Sequence, residues 1–268
     1  MKFLRVVAVL SLTFCASVFA DEIDDIEADI ASKWDKLQSM SYDMETMNAM
    51  SGEGMDYNAT SKGTAEMARK DAKSWNMRME STSDAIQKIQ GTETKTKMTT
   101  LMVMNGDVAY SLNDTNGTKM ATKMKMPEYG EMAGGKGFFK WLRKDYTLKV
   151  LPQVAISGET CYVVEATAKP KEGVPADANA MPMTYFFSKG NGMVMQTTAK
   201  SANGKNTMTM TLKNMKIDPS IAADRFVFTA PAGVVVQDMT DMEAKMKKMQ
   251  EDAAAAQKKA IEDAEKAQ

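Results

Sequence analysis

The chain has 268 residues and a formal net charge of −1, from 34 Lys and Arg against 35 Asp and Glu. That balance offers no basic surplus for nucleic acid. Histidine is absent, which removes the usual general base, the commonest metal ligand and any Ser-His-Asp arrangement, while methionine, with 27 copies, is in excess.

Residues 1–20 read as a secretory signal peptide. Lys2 and Arg5 give a basic start, Val6 to Leu12 an apolar centre, and Val18-Phe-Ala20 a cleavage site before Asp21-Glu22. Cys15 follows Phe14, where a lipobox wants a small residue. Cleavage would leave residues 21–268 as an exported, soluble, periplasmic chain. That is long enough for one domain with a sizeable core plus an appendage. No other stretch approaches the ~20 apolar residues of a spanning helix. Its remaining cysteine, Cys161, is expected as a small buried apolar side chain in a strand.

Asp21 to Met40 predicts a helix, with Ile23, Ile26, Ile30, Trp34, Leu37 and Met40 at three- and four-residue steps. So wide an apolar stripe needs a broad partner, such as a sheet. From Tyr42 the period becomes two. Strands are expected at 42–49, 63–68, 74–81, 98–104, 108–113 and 119–126, separated by Gly52-Glu-Gly54, Lys70-Asp-Ala72, Asn105-Gly106 and Asn116-Gly117. Residues 83–90 read as a short helical excursion. A Gly-rich loop follows at 127–137, then a short apolar helix at Phe138-Phe-Lys-Trp-Leu142.

Strands resume at 146–154 and 160–168, and an exposed loop is expected at 169–180. A meander follows at 182–187, 193–200 and 205–212, its breaks carrying Asn-Gly. Phe226–Phe228 reads as strand-like before Pro231. Residues 237–268 are nearly all Ala, Glu, Asp, Lys, Gln and Met. Their thin three-and-four seam predicts a helix capable of weak self-association.

These elements predict an α+β fold: a strongly curved antiparallel sheet covered by helices, with a C-terminal helix or tail. The expected domains are the signal peptide (1–20), the sheet domain (21–236) and the tail (237–268). Unbranched methionines on one face suit an adaptable apolar pocket for acyl chains, or simply replace Leu and Val in an ordinary core. The cavity residues expected are Trp34, Trp75, Met77, Met79, Met102, Met104, Tyr110, Met124, Met193, Met195, Met208 and Met210. Repeated Met-x-Met also admits a Cu(I)-binding protein, since thioethers are soft ligands. Strand alternation generates that spacing by itself, so no metal site is assigned and no cofactor is expected. Scattered Asp56, Asp107, Glu159 and Asp218 show no catalytic pairing, and no enzyme is expected.

The order of features has a further meaning. An amphipathic helix ends near Trp34-Asp-Lys-Leu37. Lys62-Gly63, Met67-Ala-Arg69, Trp75-Asn-Met-Arg-Met79 and Leu101-Met-Val-Met-Asn-Gly-Asp-Val-Ala-Tyr110 follow, and the chain closes with Asp224-Arg-Phe-Val-Phe228 and Ala230-Pro-Ala-Gly-Val-Val235. Over roughly residues 22–236 this resembles the periplasmic lipoprotein-carrier superfamily, the LolA/LolB-like proteins, whose scaffold is shared by sensor and other lipid-binding members; an envelope sensor or interaction module that uses the tail is therefore an alternative reading. The resemblance implies a half-open β-barrel of about 11 strands, with a helical lid over a cavity for the acyl chains of a lipoprotein or lipid. Membrane-associated donor and acceptor proteins would be its partners. By position, Arg69 would be the candidate latch for the lid. Lys70-Asp71 stands where the family has proline.

Overall fold

A computed structural model describes residues 14–52, 54–71, 74–126, 135–170 and 181–241. Among the described residues, two helices, α1 (Phe14–Trp34) and α2 (Gly135–Asp145), accompany twelve strands. The strands are β1 (Ser39–Gly52), β2 (Met55–Arg69), β3 (Trp75–Ile89), β4 (Thr92–Asn105), β5 (Val108–Thr115), β6 (Thr118–Lys125), β7 (Tyr146–Ile156), β8 (Glu159–Ala168), β9 (Met183–Ser188), β10 (Val194–Lys200), β11 (Thr207–Ile217) and β12 (Val236–Asp238). They form one curved, unclosed sheet in the order β12-β6-β5-β4-β3-β2-β1-β11-β10-β9-β8-β7. Every neighbouring pair is antiparallel except β12 with β6. This is the α+β half-open barrel with helical cover that the sequence implies.

Tight hairpins punctuate it. Gln90-Gly91, Asn116-Gly117 and Ser157-Gly158 each place two residues at positive φ, the backbone that matches strand twist in a two-residue hairpin. Inside β2, β3 packs so closely that a Cβ on Gly63 would lie 2.3 Å from the Glu80 carbonyl oxygen. Only glycine fits there.

Several expected elements differ. Residues 83–89 are the far half of β3, because β2 and β4 flank them and take their backbone hydrogen bonds from both sides, and Gln90 begins the turn that follows. Phe226–Phe228 forms no strand. A 3₁₀ turn, Ala223–Phe226, buries Phe226 against the outer face of β3 and β4. The twelfth strand carries the pairing to Asp238, past residue 236. α1 stops at Trp34 although its apolar period runs on to Met40. The Asp218 carboxylate accepts the backbone N–H groups of Gln38 (2.8 Å) and Ser39 (3.0 Å) and starts β1 there. At its other end α1 spans the expected cleavage point after Ala20. The expected tail helix lies outside the described residues beyond 241, as do most of the loops at 127–137 and 169–180. Among the described residues no helix is long and apolar enough to cross a membrane.

The helices cover the inner, concave face. Ile23, Ile26 and Ile30 of α1 meet Phe139 and Leu142 of α2, with Val164, Ala166, Tyr185 and Phe187 below them. A second cluster, Leu37, Met40, Met67, Trp75, Met77, Met104, Ala109 and Met193, continues under the end of α1. Leu37 and Met40 thus serve the core from the loop and from β1. Cys161 is fully buried in β8, and burial pushes its thiol pKa up.

Candidate functional site

Between the helices and the sheet lies a cavity of about 270 Å³. Its roof is Ile30 and Trp34 of α1 with Gly135 and Phe138 of α2. Its floor is Met40, Tyr42, Met67, Met210, Leu212 and Met215, and Phe187, Met193 and Val194 close one side. None of these described residues is charged, and among them there is no carboxylate, amine or thiol. Such a site can bind apolar material.

Close backbone approach seats the roof. A Cβ on Gly135 would fall 2.8 Å from the Ala31 Cα, so glycine lets α2 begin against α1. Gly192, at φ +74°, lies beside Ile30 and Lys33, and its carbonyl accepts the Trp34 indole N–H at 3.2 Å. The 188–193 turn that presents this carbonyl is held by Ser188, whose hydroxyl donates to Glu159 and accepts the N–H groups of Gly190 (3.1 Å) and Asn191 (3.2 Å). The same turn delivers Met193 to the cavity.

Polar contacts fasten α1 along its length. Arg143 of α2 pairs with Asp24 and Glu27. Asp29 pairs with Lys33 and accepts the Tyr162 hydroxyl at 3.1 Å. The Lys33 hydrogen bond holds the Asp29 carboxyl below its ordinary range, helped by Tyr162 and against a smaller opposing effect of burial. Burial first, then the bond to Asp29, raises the Tyr162 phenol. At the C-terminal end, the Arg69 guanidinium donates to the carbonyls of Trp34 (2.8 Å) and Leu37 (2.9 Å). It also lies 4.8 Å from the centre of the Trp75 ring. A cation there suits the negative end of the helix dipole.

The expected cavity residues divide. Trp34, Met193 and Met210 line the cavity. Trp75, Met77 and Met104 lie buried beneath its end, with Trp34 edge-on to Trp75 at 6.2 Å. Met77 opposes Met104, Met79 opposes Met102, and Met102 and Met124 pack against the same cluster. Met208, across from Asn48 and Ala199, stands beyond the lining. Met195 is buried at the bulge where β10 slips against β9, also outside the lining. Tyr110 is a correction. It pairs with Val103, on the parity opposite to Met102 and Met104, and stacks on Phe228 at 5.0 Å on the outer face.

Sequence reading passed over Ile30, Met40, Tyr42, Met67, Phe138, Phe187, Val194, Leu212 and Met215 as lining. Extending the even parity of β1 back to Met40 would have found two of them. Met215 was hidden, because the irregularity at Asn214, φ +51°, inverts the parity of β11 after Leu212.

No family model matches the chain, and no curated protein matches it. Solved structures do. The chain is similar to MucB, at 11% identity and TM-score 0.43, over 80% of this chain and 66% of that one; it therefore spans just under two thirds of that protein. It is also similar to LprF from Mycobacterium bovis, at 13% identity and TM-score 0.41, covering 76% of this chain and 96% of that one. A putative outer membrane lipoprotein-sorting protein domain from Vibrio parahaemolyticus follows at 8% identity and TM-score 0.34, covering 75% and 94%.

Proposed function

We propose that this protein binds acyl chains of a lipid or lipoprotein between α1, α2 and the sheet, and carries them within the cell envelope. The observation that carries this reading is the cavity itself, covered by two helices and lined, among the described residues, by thioethers, aromatic rings and aliphatic groups without a charge. Each buried methylene is worth ~0.8 kcal/mol, and methionine side chains repack around varied chain shapes. At about 270 Å³ the space lies just below the usual range of ligand pockets, roughly 300–1,000 Å³. Full occupancy therefore calls for α1 to move outward, with Arg69 as the latch at its C-terminal end and the Gly192–Trp34 contact beside it. Donor and acceptor partners would act by loosening those contacts.

The test is native mass spectrometry of protein purified gently from its source, with extraction and identification of lipid. Co-purified acyl species are expected. A clean apo mass, together with no displacement of a fluorescent fatty acid, would overturn the reading.

A second reading rests on a separate observation. Met40, Met67, Met77 and Met104 face one another across four consecutive strands, in a buried cluster that also holds Met193. Such a row supplies soft ligands for Cu(I). Titration against a chromophoric Cu(I) chelator tests it, and failure of the protein to withdraw the ion would exclude it.

A further inference from the structure

The inner face of the sheet changes character away from the cavity. Register places Met40, Met67, Met77, Met104, Ala109 and Met124 in one row across β1–β6. The row that contains Thr46 continues through Ser61 and Ser83. Between these lies a row holding Ser81, Thr100 and Asn113. The hydroxyl-bearing surface adjoins the cavity directly, because Thr46 opposes Met210 of its floor.

Charge follows the same parity. Among the described residues of β1–β6, Arg69 is the one charged residue on the inner face, and its guanidinium is already engaged by the Trp34 and Leu37 carbonyls. Every other Asp, Glu, Lys and Arg of these strands, from Asp43 and Glu45 to Lys123 and Lys125, has the opposite parity and faces outward. The hydroxyls of Thr46, Ser61, Ser81 and Ser83 are half-buried and make no side-chain hydrogen bond among the described residues, whereas Thr100, Asn113 and Ser111 bond one another.

We infer that the ligand's head group is uncharged and hydroxyl-bearing, and that it lies along the Thr46–Ser61–Ser83 surface while its acyl chains enter the cavity. This rests on the acyl-chain reading above and adds a selectivity to it. A phosphate placed here would surrender water and gain no cation, a costly exchange. A glycosyl or glycerol head exchanges its water for the free Ser and Thr hydroxyls, each both donor and acceptor.

The experiment is competition on the full chain against a bound fluorescent fatty acid. The competitors are a glycosyl diacylglycerol, a plain diacylglycerol and phosphatidylglycerol, all with identical acyl chains. The glycosyl lipid is expected to displace the probe at about tenfold lower concentration than phosphatidylglycerol, the worth of roughly one unmade hydrogen bond. A plain diacylglycerol that matches the glycosyl lipid supports the inference with the glycerol hydroxyl as partner. Equal displacement by phosphatidylglycerol overturns the inference and leaves the acyl-chain reading standing; displacement by none of the three overturns both. A second arm uses Ser61→Lys, with its fold checked by circular dichroism. The added cation is expected to shift preference toward phosphatidylglycerol, and an unshifted preference overturns the inference.

Discussion

Arg69 shows how much one side chain does at the cover. Its guanidinium donates two N–H groups to the Trp34 and Leu37 carbonyls at and just past the end of α1, and lays its face on Trp75. Hydrogen bonds to charged groups contribute about 1.5–3 kcal/mol each, partly offset by ordering the side chain. Arg69→Ala is expected to cost about 2 kcal/mol in urea unfolding, and to raise amide hydrogen exchange in residues 22–34 ahead of the rest of the sheet. Arg69→Lys would recover only part of this, since an ammonium lacks the planar fork that reaches both carbonyls. Unaltered exchange in α1 would remove Arg69 from the role of latch. Tyr110 is the useful control. It stacks on Phe228 outside the cavity, so Tyr110→Ala should lose about 1 kcal/mol for the ring pair, beyond its buried area, and leave fatty-acid binding unaltered.

At the scale of elements, α1 depends on close approach and on a titratable staple. Gly135→Ala would set a methyl carbon 2.8 Å from the Ala31 backbone. Overpacking of that kind costs about 1–3 kcal/mol, and here it pushes α1 away from α2, so ligand exchange should quicken as stability falls. Stopped-flow release of a fluorescent fatty acid measures the first and urea unfolding the second. The Asp29 staple gives a pH dependence. Its carboxyl pKa in the folded protein lies below the ordinary value, chiefly through Lys33. Its contribution is therefore fully present above the unfolded carboxylate range and is lost as pH falls through the folded value. Asp29→Asn should be less stable than the parent at neutral pH, with the difference closing as pH drops below about 4; a difference that persists in acid would contradict this.

Much of this architecture was legible in the chain. Period-two alternation located the sheet, and Gly-containing turns located most hairpins, since both are local consequences of side-chain facing and positive φ. The misses came from long-range contacts. Asp218, far along the sequence, ends the apolar period of α1 by starting β1. The flanking β2 and β4 decide residues 83–89. Tyr110 alternates like a cavity residue, yet the segment after β11 covers its face. Parity shows which residues share a face; it leaves open which face the helices cover.

The whole molecule sorts its side chains by face and by distance from the cover, and the methionines report on that order. Met47 and Met120 are 59% and 50% exposed, whereas Met77 and Met104 are 3% and 1% exposed. Thioether oxidation follows access, so a graded oxidant should convert Met47 and Met120 first. Met77 and Met104 should resist until the cover opens. Sulfoxides within the cavity would place polar, bulkier groups where the proposed acyl chain lies. Fatty-acid affinity should therefore hold through the first stage and fall in the second, when peptide mapping finds Met40, Met67 or Met193 oxidised. Methionine sulfoxide reductases acting on both epimers should restore it. A saturating fatty acid should delay that second stage, because a chain seated in the cavity occupies the space through which the oxidant reaches the lining thioethers. Equal oxidation of buried and exposed methionines from the outset would mean that α1 and α2 do not close the cavity in solution. Binding that survives oxidation of the lining would move the acyl chain elsewhere on the sheet.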